Sequence, residues 1–469
     1  MPDLKNSIIA FLIFIFTVTD IYSQLIPDVR SMSMGNTSVA GSYNIGAFSQ
    51  NPANILSDKF NEKSNIYFNV FLDAGFQLNG DYLSINFYDD YFTKADDGSQ
   101  RVLSPRDKQT ILNEASDQFT NYIANVKFLS VILNTRSVGS FGLSIDERAT
   151  GNFLPGKDFL ELALYGNEVS RTYDFSENSV NQYWIREINL SYAKKFELKN
   201  NNTFENIAFG ISVKPQFGVY YLNTRQNNLM ITTTDSNTVQ SSGSAEFYYA
   251  GLSDNNELQY SPGNAGFGFG FDAGFNTQIK NFSKNGILNI GLSITDLGYI
   301  TWNKNTNKYF NDGSFVITDI TNQEQIDSLK DVIKSTKTPV PDFTTSLPPV
   351  LRAGFTYKFL NKSGNKLTDS TRKEQAVISL DIIQGLSNDL GGITKTMVGI
   401  GGEYNATGAL SPQAGFTFGG LQDFAMSIGL GINADPVIID IGTNNILSLF
   451  TPRNTTNFSA GLSVKFKVN

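Results

Sequence analysis

The sequence predicts an all-β protein, a fourteen-stranded antiparallel transmembrane β-barrel. Three observations predict it. The chain is full of segments in which apolar and small or polar residues strictly alternate, the pattern of a strand between an apolar and a wet phase. An apolar run of export type stands at the N-terminus, and no later run reaches the roughly 18 apolar residues of a membrane helix. Counting strands backward from the C-terminus puts every long insert on one side, as single-chain barrels require.

The last strand, 457–468, shows the pattern most clearly. Phe458, Ala460, Leu462, Val464, Phe466 and Val468 share one face, and Ser459, Gly461, Ser463, Lys465 and Lys467 share the other. A slip of one residue would turn two lysines to the apolar side, so the register is well specified. Mean hydropathy is only −0.19. That value misleads for a barrel, because lipid-facing and lumen-facing residues average out.

At the N-terminus, Lys5 precedes the apolar run 8–18, and Ser23 offers a small cleavage residue before Gln24. The expected organisation is a secretory signal peptide over 1–23, an N-terminal segment over 24–63 and a barrel over 64–469, with the outer membrane as destination. Residues 25–63 do not alternate and are rich in Gly, Ser, Asn and Ala. They suit either a compact coil inside a barrel or a disordered periplasmic tail.

The strands are expected at 64–80, 125–136, 138–149, 183–198, 204–222, 264–279, 285–302, 350–360, 374–386, 396–405, 411–420, 423–434, 436–447 and 457–468. Residues 81–92 alternate in part. Counting them as spanning gives fifteen strands, so parity assigns them to the first external loop and leaves fourteen. In 204–222, Ile207, Phe209, Ile211, Val213, Phe217, Val219 and Tyr221 are expected on one face, with a bulge or bend at Pro215, which cannot donate to the ladder. Helices are expected in the inserts at 104–119 (Ser104 as N-cap, Pro105 first), 156–166 and 322–335, and a hairpin within 223–263.

Lumen faces carry unusual glycine: Gly266, Gly268, Gly270 and Gly274 in one strand, Gly399 and Gly401 in another. Either they admit a second backbone, for which residues 25–63 are the candidate, or they ease strand curvature. Alternation places Asp146, Lys214, Asp272, Arg352, Lys358, Asp381, Glu403, Lys465 and Lys467 toward the lumen. Their mixed signs suit ion pairs between wall and N-terminal segment, with Arg30 as one partner.

Two stretches carry a family resemblance. One is VRSMSMGNTSVAGSYNIGAFSQNPANI, with Arg30, Met34-Gly35, Val39-Ala40 and Asn51-Pro52-Ala53; the other is PPVLRAGFTYKF, from Pro348 to Phe359. Together they resemble the long-chain fatty-acid transporter superfamily of outer-membrane barrels. The layout is closest to an uncharacterised Bacteroidota outer-membrane family. The resemblance implies fourteen strands, a hatch folded into the lumen and ended by Asn51-Pro52-Ala53, and long extracellular loops. It makes Arg30, Gly35, Asn51, Pro52 and Ala53 the hatch motif. Gly461, Val464 and Phe466 resemble a C-terminal signal for the barrel assembly machinery.

Chemistry is scarce. With neither Cys nor His in 469 residues, thiol nucleophiles, thiolate metal sites and the commonest general base are missing. A count of 36 basic against 44 acidic residues speaks against nucleic acid. Gly-Leu-Ser and Gly-Ile-Ser pieces at Gly142, Gly210, Gly291 and Gly461 lack the second Gly of a nucleophile elbow. No metal, cofactor or catalytic residue is expected, and a solvated loop is the reading for Asp89-Asp90 and Asp96-Asp97. Beyond outer-membrane lipid, the expected partners are a hydrophobic ligand or an envelope protein. The expected function is passive uptake of a hydrophobic small molecule. The alternative is a non-enzymatic scaffold in an envelope or secretion complex.

Overall fold

The computed structural model describes residues 28–468 except 57–64, 81, 95–97, 100, 136, 200, 236–237, 252–264, 312–314, 318–335, 362–372, 388–393 and 421–422. The expected signal peptide and the helix expected at 322–335 lie outside the described residues.

The wall consists of fourteen antiparallel strands: β1 Ile66–Gly80, β2 Thr120–Asn134, β3 Ser140–Leu154, β4 Ser179–Glu197, β5 Phe204–Asn227, β6 Gly266–Ser283, β7 Gly286–Trp302, β8 Val350–Asn361, β9 Lys373–Gly385, β10 Met397–Tyr404, β11 Leu410–Gly419, β12 Phe424–Ala434, β13 Val437–Thr443 and β14 Phe458–Val468. Each pairs with its neighbour in sequence, and β1 pairs with β14, so the sheet closes and leaves no edge in the ring. At the closing seam Phe466 stacks on Phe68, ring centroids 5.2 Å apart. The outward faces are apolar: Phe209, Ile211 and Val213 in β5, and Phe267, Phe269 and Phe271 in β6, are all exposed. Cross-strand ring pairs knit this face, such as Phe209–Phe275 at 5.4 Å and Phe217–Phe267 at 5.3 Å. A bilayer is the solvent that such a belt fits.

One end of the barrel carries the short turns and the other the long loops. Residues 85–92, whose partial alternation resembles a strand, form helix α1, Ile85–Phe92, in the first long loop. Helix α2, Pro105–Ala115, starts where its signals are written: the Ser104 hydroxyl accepts from Asp107 N, the Asp107 carboxylate accepts from Ser104 N, and Pro105 opens the helix. These hydrogen bonds hold the Asp107 carboxyl below its ordinary range. Helix α3, Lys157–Tyr165, fills the next loop. The hairpin expected within 223–263 is Met230–Thr233 with Val239–Ser242, extended by Arg171–Asp174 and Phe315–Ile317 into a separate four-stranded sheet.

Two expectations for β5 are corrected. Pro215 makes no bulge: it stands opposite Phe269 in unbroken register, and toward β4 the pairing merely lapses between Glu187↔Gln216 and Leu190↔Val213. Its missing N–H opens the ladder without adding a residue. The bulge lies at Val219, between the pairs Trp184↔Tyr220 and Ile185↔Gly218. That extra residue reverses the faces beyond it, so Val219 and Tyr221 turn to the lumen and are fully buried instead of joining Phe217 outside.

Candidate functional site: a plugged lumen and an apolar pocket

Residues 28–56 lie against the lumen face of the wall as a short helix, Val29–Ser33, and two 3-10 turns, Asn44–Ala47 and Pro52–Leu56. Almost every residue of the segment is buried. Small residues let backbone meet backbone. Gly35, at φ +65°, donates its N–H to the Ser427 hydroxyl at 2.8 Å, and a Cβ there would stand 2.5 Å from the Phe416 carbonyl oxygen. From the wall, a Cβ on Gly401 would fall on the Met34 carbonyl, and one on Gly399 on the Gly35 carbonyl. Gly274 faces Asn51 and Pro52 in the same way. Gly266 and Gly268 do not: a Cβ there would meet the Thr301 and Tyr299 carbonyls of the neighbouring strand. Gly270 faces Leu347. Close approach to the segment therefore accounts for Gly274, Gly399 and Gly401, and tight strand-to-strand packing for the other pair.

Polar side chains fix the segment's register. Arg30 Nε donates to Glu403 Oε2 at 2.6 Å and Nη1 to the Gly41 carbonyl at 3.1 Å, while the guanidinium lies 4.8 Å from the Tyr43 ring centre. Asp381 Oδ2 accepts from the N–H groups of Ser38 (2.5 Å) and Val39 (2.7 Å). Asn51 Nδ2 donates to the Val39 and Phe275 carbonyls at 2.7 and 2.9 Å, and its Oδ1 accepts from Ala53 N at 3.0 Å. Asn51-Pro52-Ala53 thus forms a turn in which one amide joins two parts of the segment to β6, with Pro52 and Ala53 set against Gly210.

Next to the segment a buried ionic tier occupies the lumen. Lys214 Nζ sits 2.9 Å from Asp272 and 3.6 Å from Glu187 and also contacts Asp296; Arg148 lies 3.0 Å from Asp296 and 4.0 Å from Glu187. Arg352 donates to Thr295 at 2.8 Å. Three cations and three carboxylates balance, which is the condition for holding charge out of water. Of the other lumen charges, Lys465 bridges Asp440 (3.2 Å) and Asp28 (3.8 Å), and Lys358 pairs with Glu374 at 3.0 Å near the short-turn end. Lys467 lies 3.7 Å from Asp435, and Asp146 accepts from Ser144 at 2.8 Å. In β14, Gly461 faces Val29 inside, while Val464 and Phe466 face out.

Sequence reasoning missed Glu187, Arg148 and Asp296. The first two are in phase with their strands, Arg148 with Asp146 and Glu187 with Asn189, and the signal was there to read. Asp296 was hidden, because alternation sets it beside Ile294 on the lipid side. A bulge at positive φ (+60°) turns it inward.

Toward the long loops, an apolar layer of Tyr183, Ile185, Tyr221, Ile300, Trp302 and Leu347 lines the lumen. At the long-loop ends of β3, β4 and β5, on the outward face where Phe153 pairs with Val180, Phe153, Phe159, Leu162, Phe175, Leu229 and Phe247 line a cavity of about 510 Å³ between α3, the strand ends and the small sheet. The wall changes partner at the apolar layer. Up to Thr295, β7 pairs with β8; from Tyr299 it pairs with Phe343–Ser346, and Leu347-Pro348-Pro349 crosses the break opposite Asp296-Leu297-Gly298. Only Leu347 among those three can donate a backbone hydrogen bond, and it does so to Gly298 O at 2.9 Å. Among the described residues no set of carboxylates is grouped as metal ligands.

A family model described as "Family of unknown function (DUF5723)" matches residues 59–436. No curated protein matches the chain. Among solved structures, the toluene transporter TbuX of Ralstonia pickettii is 13% identical at TM-score 0.48, covering 96% of this chain and 100% of that one. The toluene transporter TodX of Pseudomonas putida is 12% identical at TM-score 0.45, covering 94% and 96%. A FadL homologue of Pseudomonas aeruginosa is 10% identical at TM-score 0.41, covering 96% and 100%. At this level of likeness they say nothing of what this chain carries.

Proposed function

From the premise that the chain belongs to the family of unknown function DUF5723, we propose that it is an outer-membrane barrel for passive uptake of a hydrophobic small molecule, with residues 28–56 as its hatch. The long loops then face outside and the short turns face the periplasm. The observations that carry the reading are an apolar cavity of about 510 Å³ on the outward face at the long-loop end and, inside the wall, an apolar lumen layer. A cavity of this size and lining suits a drug-sized apolar ligand. The ionic tier below would strip no hydrophobe of its affinity for lipid, so the cargo leaves sideways. The break at Leu347-Pro348-Pro349 supports an exit there, since the two prolines have no backbone N–H to give the ladder. On this reading the hatch and ionic tier bar water and ions while the cargo bypasses them.

Phe175→Asp and Phe247→Asp are expected to lower binding of an apolar fluorescent probe to the purified barrel by at least about tenfold, as a charge in an apolar pocket costs well over 1 kcal/mol. Unchanged binding in both variants, or no probe binding by the unaltered protein, would sink the reading.

A second reading, a scaffold in an envelope complex, is favoured by one feature. Helix α1 and the turn Leu447–Phe450 expose Tyr88, Phe92, Leu449 and Phe450 at the long-loop rim, and Arg453 ties the two together through Asn86 (3.1 Å) and Asp89 (2.6 Å). Neighbouring exposed apolar side chains of this kind suit a contact surface. Crosslinking in intact outer membranes through position 449 is expected to yield lipid adducts alone under the uptake reading. A discrete protein adduct would establish the scaffold.

A further inference from the structure

The outward face of the barrel is not filled evenly. On β12, β13, β14 and β1 one row is complete, with Leu430, Ile441, Leu462 and Ala74 side by side in register. The next row toward the long loops holds the pairs Ile428↔Thr443 and Ala460↔Phe76. Thr443 does not fill its place outside. It is buried, its hydroxyl 3.0 Å from that of Ser459 and donating to the Asn445 carbonyl at 3.1 Å, and β13 ends there. Beyond this point residues 444–446 continue the wall between β12 and β14, tied by Ile446 N to the Met426 carbonyl at 2.7 Å and by Asn444 N to the Ser459 hydroxyl at 2.8 Å.

The early end of β13 leaves an outward groove of about 800 Å³, with Ile428 and Ile441 on one side, Phe76 and Phe458 on the other, the small Ala74 and Ala460 beneath, and Leu449 of the rim turn at its upper end. From Phe458 to Leu462 it follows β14 for about 13 Å at ~3.3 Å per residue, most of one leaflet's share of a hydrocarbon core roughly 30 Å thick. Above it the rim is polar: Thr451, Arg453 and Asn454 are exposed, and Arg453 is paired with Asp89.

The groove is continuous with the belt that meets the bilayer, and no charged side chain lines it. Left empty, its walls would forfeit dispersion contacts on one side. Chain and wall are equally apolar in a membrane, so packing selects the occupant, and an unbranched flexible chain fills a slot between fixed rings. We propose that this groove seats an acyl chain of a lipid from the leaflet at the long-loop end, with its headgroup against the polar rim at 451–454, and that this lipid stays with the barrel while the rest of the belt exchanges. The site is separate from the apolar cavity at β3, β4 and β5 and stands whether or not that cavity takes a hydrophobe.

The full-length barrel in phosphatidylcholine vesicles, doped with phosphatidylcholine that carries a diazirine on its acyl chain, reports where chains dwell. After illumination, peptides containing Ile441 and 460–462 are expected to carry at least about fivefold more label than those containing the paired Leu292 and Ala353, which belong to the belt on β7 and β8. Even labelling around the belt overturns the site. Ala74→Leu combined with Ala460→Leu fills the groove and is expected to bring its labelling down to that of the belt, whereas Ala353→Leu leaves the groove labelled. Both changes point to lipid, and heat-modifiable mobility confirms folding. Undiminished labelling in the filled barrel overturns the site as well. In intact outer membranes, p-benzoylphenylalanine at position 441 is expected to give lipid adducts; an adduct with a second copy or another protein would show that the groove docks protein instead, and would overturn the proposal.

Discussion

Gly401→Val is expected to leave a folded fourteen-strand barrel from which the N-terminal segment has been expelled. Gly401 lies in β10, and a Cβ there would occupy the position of the Met34 carbonyl; the Gly415 site across β11 is blocked by Gly35 N and the Met34 carbonyl carbon. Both obstacles are backbone, so no rotamer change relieves them, and the segment is pinned nearby by Arg30–Glu403 and Gly35–Ser427. The wall has no such difficulty, since valine is a favoured strand residue. Limited trypsin digestion gives the readout: Arg30 is 5% exposed in the native barrel, and cleavage after it should go from undetectable to near complete. Gly402→Val is the control, because a Cβ there approaches only the Val377 carbonyl, at 3.3 Å, and never the segment. Protection of Arg30 in Gly401→Val would show that the segment is not held by this close approach.

Lys214→Met is expected to destabilise the barrel by about 3–5 kcal/mol, the range for removing one partner of a buried ionic cluster. Lys214 contacts Asp272 at 2.9 Å, and it shares Asp296 and Glu187 with Arg148. Methionine retains much of the stem's packing, so the loss reports the stranded carboxylates. Adding Asp272→Asn to Lys214→Met should recover part of the loss, because the amide removes the charge left without a partner, while Asp272→Asn alone should cost less than Lys214→Met. Denaturant unfolding in lipid vesicles measures all three. A double variant as unstable as the sum of the singles would mean that Lys214 and Asp272 are not coupled.

Much of the architecture was legible in the sequence because period-2 alternation is a local property with a global consequence. Each alternating segment names its own lipid face, and antiparallel parity then fixes the number. The same count moved residues 81–92 out of the wall, and Ile85–Phe92 among them form a helix. The capping signals at Ser104 were equally local and equally readable.

The candidate site was legible in part. Asp272, Lys214, Asp381 and Glu403 could be assigned to the lumen by phase, but their partners could not. Arg30 meets Glu403 across 373 positions, and no pattern within either strand names the other. Glycine in the lumen suggested a second backbone, yet only the packed structure separates Gly399 and Gly401, which touch the segment, from Gly266 and Gly268, which touch a neighbouring strand.

Fold class, strand number and the gathering of the long loops at one end of the barrel can all be read from the sequence. These follow from hydrophobic periodicity and parity, which need no knowledge of distant contacts. Tertiary structure alone decided where alternation breaks. One extra residue at Val219 carries Tyr221 into the lumen's apolar layer, and one at Asp296, in a positive-φ conformation that packing must impose, brings a carboxylate to Lys214 and Arg148. A bulge costs local strain that only the contacts it creates can offset. Those contacts lie on other strands, so its position is fixed by the assembled barrel rather than by the strand that contains it.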